Sequence, residues 1–531
     1  MFKKFRRPLI LAILILIGVA FSISRGQDSN FDLLNYHLYD AYSFLNGRLW
    51  HDLAPANTQT FHNPILDIPY FFSLLVYPKS EIVSASLMGV YYGFGIFFIW
   101  IIASELFRKS RYPFSYSVLA AAVGATGAAG WSQLGGTFNE WQTALLCLAS
   151  VATVLSWIDD TRPQFWRIAL AGSLVGLAAG FKLTAMPFAA AVIIAASVSI
   201  QANIGRRLWV ACTLALGTLL GFAISGGPWC WVMYSNFASP VFPYFNGLFH
   251  SPWAPSVSIF DQRFLPRSVV ETFLYPFYWA FSRSTKVSEL YVRDPRLAMA
   301  LSAAYIFLAA KISAYVCRHK GSKCFVTDFD DTIHRGWNFV LMFFVFSYFI
   351  WQYIFSIYRY TIPLEAIGGI IIVGVSAQAA KMGNSFRFAD PIFAALIATS
   401  VILFTVVPEW GHVRFQSGAP RVFAPDLPSK SLVIVSGAGP LSFLIPFFRQ
   451  DVRFVRGIYS VGEKNRYNNY IEDTIRKNEG PLFTLEYENI HSENDEKRLE
   501  QLGLSKFDSQ CIPLKSSLVS VEMRICPLQR R

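Results

Sequence analysis

Long apolar blocks separated by short polar stretches dominate the first three quarters of the chain. A helix needs about 20 apolar residues to cross the hydrocarbon core of a bilayer. The pattern therefore predicts an all-α polytopic membrane body over residues 1–410, with polar outer loops at 25–80 and 227–296. The eleven predicted spans are 8–24, 83–104, 115–131, 140–157, 168–181, 183–200, 208–226, 297–316, 338–356, 361–379 and 391–408.

Two parts of this pattern depart from regular spans. Segments 168–181 and 183–200 are separated by little more than Lys182, so they form either a tight hairpin or one broken element. A shorter apolar run at 268–282 contains Pro276. Because it is too short to cross a bilayer, we expect a helix lying in the membrane interface there.

Basic residues between the spans predict the orientation of the body. Cytoplasmic loops of membrane proteins carry an excess of lysine and arginine. The N-terminal cluster and every second loop are basic, which predicts a cytoplasmic N-terminus, an extracytoplasmic C-terminus and a multi-pass place in the bacterial inner (plasma) membrane. A cleaved signal peptide is the alternative for residues 1–24, although no clear A-x-A site follows them. The basic positions are Lys3, Lys4, Arg6, Arg7, Arg108, Lys109, Arg111, Arg162, Arg167, Arg206, Arg207, Arg318, Lys320, Lys323, Arg335, Lys381 and Arg387.

Composition strengthens the membrane assignment. The 531-residue chain is 53% hydrophobic and only 15% charged, which is too apolar for an ordinary soluble globular protein. Its formal charge of +12 comes from short basic clusters between apolar runs. That distribution is typical of loops that orient membrane helices and argues against nucleic-acid binding.

The last segment, 411–531, has a different pattern and is predicted to be a small extracytoplasmic α/β domain. Strand-like runs occur at 431–435 and 482–487, and helix-like runs at 470–478 and 493–502. Cys511 and Cys526 lie close together in this outer tail. Because the predicted compartment is oxidising, we expect a disulfide between them.

Titratable side chains concentrate in the first outer loop. A helical period over residues 32–46 places Asp32 and Tyr36 on one face and His37 and Asp40 on another. A partly buried carboxylate among aromatic side chains can serve as a general base, which makes Asp32, His37 and Asp40 candidate catalytic residues. The structural alternative is that Asp32, with Asp28, caps a helix beside the membrane.

The segment Asp32–Leu33–Leu34–Asn35–Tyr36–His37, followed by GRLW and an Asn-Pro pair, resembles the start of the first outer loop in bacterial glycosyltransferases of the GT-C fold. This resemblance implies an acidic residue of the loop at the catalytic centre. It also implies inverting transfer of a sugar from a polyprenyl-phosphate carrier to an acceptor on the outer side of the membrane. The adjacent acidic pair that many relatives carry is absent, so Asp32 acts alone or with Asp28 or Asp40.

The resemblance extends over roughly residues 1–410 in short, degenerate motifs. GLAAGFKLTAMP at 176–187 and YRYTIPLE at 358–365 resemble family segments, as do SPVFPYFNGLFHSP at 239–252 and SELYVRDPR at 288–296. Lysine and arginine at the membrane surface can bind the donor phosphate, with snorkelling or aromatic stacking as the alternatives. The charged patch before the eighth span either binds phosphate or forms mutual salt bridges that fix the loop. The predicted substrate-binding residues are Tyr36, Lys182, Arg293, Arg296, Tyr358, Arg359 and Glu365.

Neither a cofactor nor a metal ion is predicted. His37, His51 and His62 could in principle bind a metal with the aspartates, but their spacing matches no known ligand motif. No P-loop, H-E-x-x-H motif or nucleophile elbow occurs in the chain. We therefore expect a metal-independent enzyme.

Two classes of function fit a membrane body with a polar outer face. The first is a lipid-linked sugar transferase, for which an O-antigen ligase or polymerase is a near neighbour. The second is a transporter or lipid flippase, which should show paired halves and charges at mid-helix. Because the polar residues cluster in the outer loops, the sequence favours the transferase. Its expected partners are a polyprenyl-phosphate-linked sugar, an unknown acceptor (glycan, lipid or protein) and membrane lipids.

Overall fold

The computed structural model describes residues 2–76, 81–259, 261–320, 335–382, 390–415, 422–437, 439–456, 465–488 and 493–531. Two of the basic loop positions used to predict the orientation, Lys323 and Arg387, lie outside these ranges.

Helices make up the body. The first ten are α1 Phe2–Arg25, α2 Leu38–Leu45, α3 Ile68–Val76, α4 Glu81–Leu106, α5 Pro113–Ala125, α6 Ala128–Ser132, α7 Glu140–Leu155, α8 Phe165–Phe181, α9 Met186–Ser199 and α10 Ile204–Ser225. The next eight are α11 Gly227–Phe237, α12 Asn246–Phe249, α13 Val269–Leu274, α14 Phe277–Ala280, α15 Arg296–Lys320, α16 Arg335–Ile354, α17 Ile362–Met382 and α18 Asp390–Phe404.

Helical structure is present at all eleven predicted spans. By length and composition, the described residues contain five segments able to cross a membrane, and the remaining apolar helices are shorter. The protein is therefore a multi-pass membrane protein. The five segments are Arg7–Arg25, Glu81–Leu106, Ile204–Ser225, Arg335–Ile354 and Tyr358–Ala379.

Three predicted elements are interrupted. Segment 115–131 is divided between α5 and α6, and the run at 268–282 forms two short helices, α13 and α14, on either side of Pro276. At Lys182 the backbone becomes extended and then makes a short 3-10 turn over Leu183–Ala185. Segments 168–181 and 183–200 therefore form two separate helices, α8 and α9.

Glycines allow the helices of the body to approach closely. A Cβ at Gly18 of α1 would overlap the carbonyl of Gly89 in α4. Gly176 of α8 and Gly221 of α10 likewise face the backbone of each other's helix. Small residues at such contacts let membrane helices gain van der Waals packing, because lipid supplies no hydrophobic driving force between helices. The first helix is thus packed as part of the bundle.

The C-terminal domain is the predicted α/β unit. Its strands are β3 Val422–Phe423, β4 Leu432–Val435, β5 Arg453–Val455, β6 Leu482–Tyr487, β7 Leu504–Lys506, β8 Ile512–Ser516 and β9 Val519–Arg530. They form a seven-stranded sheet in the order β3-β8-β9-β6-β4-β5, with β7 also paired to β9, and β4 runs parallel to β5 and β6. Cys511 and Cys526 form the expected disulfide. The helices of the domain are α19 Arg466–Lys477 and α20 Glu493–Gln501. A separate two-stranded ribbon pairs β1 Gln27–Asp28 with β2 His412–Val413.

This domain is joined to both outer loops. Leu53 of the first loop makes an isolated parallel bridge with Val455 at the edge of the sheet, and Arg48 donates to the carbonyl of Val452 at 2.8 Å. Phe237 of the second loop packs in the same core as Tyr467. The two outer loops and the C-terminal domain therefore lie on one face of the body.

Candidate active site

Asp32 lies at the start of a π-helical turn, Leu33–His37, that leads into α2. The carboxylate is buried, and its Oδ2 accepts from the Tyr36 hydroxyl and from Arg359 Nη1, each at 3.1 Å. Burial by itself would raise the pKa of Asp32, but nearby positive charge, led by Arg359, outweighs it and lowers that pKa. Asp32 is therefore an ionised carboxylate.

Arg359 lies far from Asp32 along the chain, in the 3-10 turn Tyr358–Thr361 that precedes α17. Its guanidinium carbon lies 5.8 Å from the ring centre of Phe138 and 5.3 Å from that of Tyr360. The Arg359 carbonyl accepts from the Gln133 side chain at 2.8 Å. Backbone and side chain are thus both held in place, with 18% of the side chain exposed.

Lys182 lies at the end of α8 and makes an ion pair that the sequence did not indicate. Its Nζ donates to Glu140 Oε1 and to the Phe138 carbonyl, both at 2.6 Å. Glu140 is buried at the start of α7, and its second oxygen has no partner within the described ranges. A carboxylate at the end of an apolar helix needs a cation, which is the signal that could have identified Glu140.

A small crevice adjoins this pair, between α7, the start of α9 and the turn before α17. Glu140 and Tyr360 join it to the two cations. Most of the remaining lining is apolar, so charged and apolar groups meet at the crevice. Its lining residues are Glu140, Thr143, Ala144, Cys147, Thr184, Ala185, Phe188, Tyr360 and Pro363.

His37 lies on another face of the same turn, as the helical period predicts, and remains next to Tyr36. Its Nδ1 is 2.6 Å from Asp67 Oδ1, an oxygen that also accepts from Asn139 at 2.6 Å. The His37 and Tyr36 rings lie 4.1 Å apart. His62 closes this side of the cluster, with its Nε2 2.9 Å from the Tyr244 hydroxyl.

The other two aspartates of the loop have different surroundings. Asp28 accepts from the backbone and hydroxyl of Thr137 at 2.8 Å and from Asn30, which ties the loop to the body. Asp40 is buried, and neither of its oxygens has a partner in the part of the chain that the structure describes. Burial, and then the charge of Asp67, raise the pKa of Asp40 well above its usual value.

Arg296 and Glu365 are built into the framework of the body. Arg296 is fully buried, and all five of its N–H groups are donated, so none is left for a substrate phosphate. Glu365 accepts from the amides of Ala129 and Gly130 at 2.8 and 2.9 Å. The acceptors of Arg296 are Val123, Thr126, Asp294 and Thr405.

Two more predicted substrate-binding residues lie among aromatic rings. Arg293 donates to the Phe404 carbonyl at 2.8 Å, with its guanidinium 4.1 Å from that ring. Tyr358 is buried, with its ring 6.0 Å from that of Trp279. The site that the structure brings together from the sequence candidates therefore consists of Asp32, Tyr36, His37, Lys182 and Arg359.

Comparisons with known proteins identify the fold. No family model and no curated protein matches the chain. Among solved structures, ArnT from Cupriavidus metallidurans bound to undecaprenyl phosphate matches with a TM-score of 0.50 at 11% identity, covering 98% of this chain and 97% of that one. Its apo state matches with a TM-score of 0.50 at 12% identity, covering 99% and 98%. The apo oligosaccharyltransferase from Archaeoglobus fulgidus gives 0.45 at 13% identity, covering 92% and 70%. The chain has the GT-C fold of membrane glycosyltransferases.

Proposed function

We propose that the protein is an inverting glycosyltransferase that moves a sugar from a polyprenyl-phosphate carrier to an acceptor on the outer side of the membrane. One observation carries the proposal: Arg359 and Lys182 place two positive charges beside the buried carboxylate of Asp32, and Arg359 hydrogen-bonds it at 3.1 Å. Two cations beside an acid suit a reaction in which a phosphate departs and a hydroxyl loses a proton.

The cations would bind the donor. A guanidinium grips phosphate oxygens in bidentate fashion, and the Nε–H of Arg359 has no acceptor among the described residues. Lys182 adds a second charge through its ion pair with Glu140, a residue that lines the crevice. The fold match to a protein bound to undecaprenyl phosphate supports this class of carrier.

The acceptor would approach from the side of the first outer loop. Its hydroxyl oxygen bonds to the anomeric carbon as the bond from that carbon to the phosphate oxygen breaks, which inverts the configuration. The departing phosphate gains negative charge that Arg359 and Lys182 stabilise. Two groups are placed to receive the proton, Asp32 and His37.

The proposal also includes the orientation of the protein in the membrane. With the N-terminus in the cytoplasm of a bacterium, the face that carries the outer loops and the C-terminal domain lies outside the inner membrane. The acceptor is then a glycan, a lipid or a protein of that compartment. The C-terminal domain packs on the first loop through Leu53 and Arg48, next to the site, so it is the surface that such an acceptor meets.

A transfer assay tests the proposal. The purified protein in lipid nanodiscs is given a panel of labelled polyprenyl-phosphate sugars, or the same sugars as nucleotide conjugates, together with a membrane and envelope extract as acceptor source. We expect transfer from a polyprenyl-phosphate sugar alone, with an inverted linkage, and a large loss in Asp32→Asn. Transfer from the nucleotide conjugates alone, or a retained configuration, would overturn the proposal.

A further inference from the structure

His37 is held by two side chains in a way that fixes its tautomer. Asp67 Oδ1 lies 2.6 Å from Nδ1, and the same oxygen accepts from Asn139. Because an ionised carboxylate can only accept, Nδ1 carries the hydrogen and Nε2 keeps its lone pair. Asn139 is itself held by Gln142, which donates to its Oδ1 at 3.0 Å.

The free nitrogen belongs to the same cluster as the candidate donor site. His37 is 3% exposed, and its Nε2 is buried with no partner in the described part of the chain. Its ring lies against that of Tyr36, whose hydroxyl donates to Asp32. A buried nitrogen with an unused lone pair is costly unless a ligand or a function uses it.

Asp32, in contrast, is already engaged. The same oxygen, Oδ2, accepts from both Arg359 and Tyr36. A carboxylate stabilised in this way attracts a proton weakly, whereas an imidazole backed by a carboxylate is a stronger base near neutral pH.

We propose that His37, oriented by Asp67 and Asn139, is the base that takes the proton of the acceptor, while Asp32 positions Arg359. This inference rests on the proposed function. The acceptor O–H gives its proton to His37 Nε2, the oxygen bonds to the anomeric carbon, and the electron pair of the breaking bond leaves on polyprenyl phosphate. Asp67 then faces the imidazolium and offsets its charge.

Charged and titratable groups face this part of the site from several elements. The ionised carboxylates attract a positive charge at this position and the two cations repel it, until a donor phosphate offsets the cations. Asp67 is the only carboxylate in the described ranges that hydrogen-bonds His37. The groups are Asp32, Asp40, His62, Asp67, Glu140, Lys182 and Arg359.

The test variant removes the proposed base and keeps a hydrogen-bond donor for Asp67. His37→Asn keeps an amide N–H for Asp67 but has no group at the position of Nε2. Single-turnover transfer from a saturating polyprenyl-phosphate sugar is measured between pH 5 and 9, and binding of polyprenyl phosphate is measured in parallel. We expect a loss of about 100-fold or more in rate with unchanged binding. We also expect the wild-type rate to fall at acid pH, because a protonated base cannot accept the proton of the acceptor, and His37→Asn to lack this fall.

Two further variants sharpen the test. Asp67→Asn removes the charge that stabilises the imidazolium, so the acid limb of the rate profile should move to lower pH. His51→Gln is the matched control, because His51 contacts the Val452 carbonyl at 3.2 Å beside the C-terminal domain and should leave rate and profile unchanged.

The outcomes separate the two proposals. If His37→Asn keeps the wild-type transfer rate, pH profile and lipid binding, the assignment of His37 as the base is wrong, whereas the proposed transferase function is unaffected. If His37→Asn loses binding through misfolding, an unshifted acid limb in Asp67→Asn overturns it instead. A wild type that neither binds polyprenyl phosphate nor transfers sugar overturns both.

Discussion

Arg359 Nη1 lies 3.1 Å from Asp32 Oδ2, an ion pair between residues 327 positions apart in the chain. Side-chain exposure is 18% for Arg359 and 5% for Asp32. Removing two charges from water offsets most of their mutual attraction, so the pair contributes little to stability. Its main effect is to fix the positions of the two side chains. A donor phosphate can then compete for a guanidinium that is already aimed at the reaction centre.

The Lys182–Glu140 pair should separate stability from donor binding. Lys182→Met leaves the buried Glu140 charge without its cation, so we expect a loss of roughly 1–3 kcal/mol in the free energy of unfolding. Adding Glu140→Gln should restore much of that stability without restoring affinity for polyprenyl phosphate. Thermal unfolding in detergent and lipid binding measure the two effects. Recovery of affinity in the double variant would show that Lys182 has no role in binding the donor.

Asp40→Asn should stabilise the protein, and more so as pH rises. The pKa of Asp40 is raised in the folded state, whereas an unfolded aspartate titrates near about 3.9. Above that value the wild type therefore loses about 1.4 kcal/mol of stability per pH unit until the folded carboxyl ionises. Asparagine does not titrate, so its advantage should grow in thermal unfolding curves as pH rises above about 4. A constant or shrinking advantage would mean that Asp40 is ionised in the folded protein.

The Cys511–Cys526 disulfide should stabilise the C-terminal domain. It joins residues 15 positions apart, and closing a loop of that size restricts the unfolded chain by about 3 kcal/mol. Cys511→Ser with Cys526→Ser should therefore lower the unfolding temperature of the domain, which differential scanning fluorimetry can follow. Mass spectrometry under non-reducing conditions provides the control, and finding both thiols free in the wild type would contradict the bond.

Activity is expected to survive EDTA. In the proposed mechanism Arg359 and Lys182, rather than a metal ion, stabilise the departing phosphate. Transfer rates measured before and after chelation, with re-addition of Mg²⁺, Mn²⁺ or Zn²⁺, check this. A loss on chelation that one of these ions restores would require a metal in the mechanism.

Much of the body was predictable because the bilayer constrains it. An apolar run long enough to span hydrocarbon forms a helix that satisfies its own backbone, so 83–104 is recognisable as α4, Glu81–Leu106. The division between α5 and α6 was not predictable. The first amides of α6 donate to Asp294 and Glu365, which lie far along the chain and whose approach depends on tertiary packing.

The same limit applies to the site. The shared face of Asp32 and Tyr36 follows from an i,i+4 spacing, and their hydrogen bond confirms it. Glu140 and Asp67 were missed because their partners, Lys182 and His37, lie 42 and 30 positions away. Arg296 was predicted to bind substrate from its charged sequence neighbourhood, but in the folded protein every N–H group of its side chain donates to the protein itself.

The most direct test of the central claim is equilibrium binding of undecaprenyl phosphate to the wild type and to Arg359→Ala in nanodiscs, followed by native mass spectrometry. Arg449→Ala is the control, because Arg449 pairs with Asp451 on the exposed C-terminal domain. The account predicts saturable binding by the wild type and the control, and an affinity at least about tenfold weaker, roughly 1.4 kcal/mol, in Arg359→Ala. Equal affinities in all three proteins, or no binding by the wild type, would contradict it.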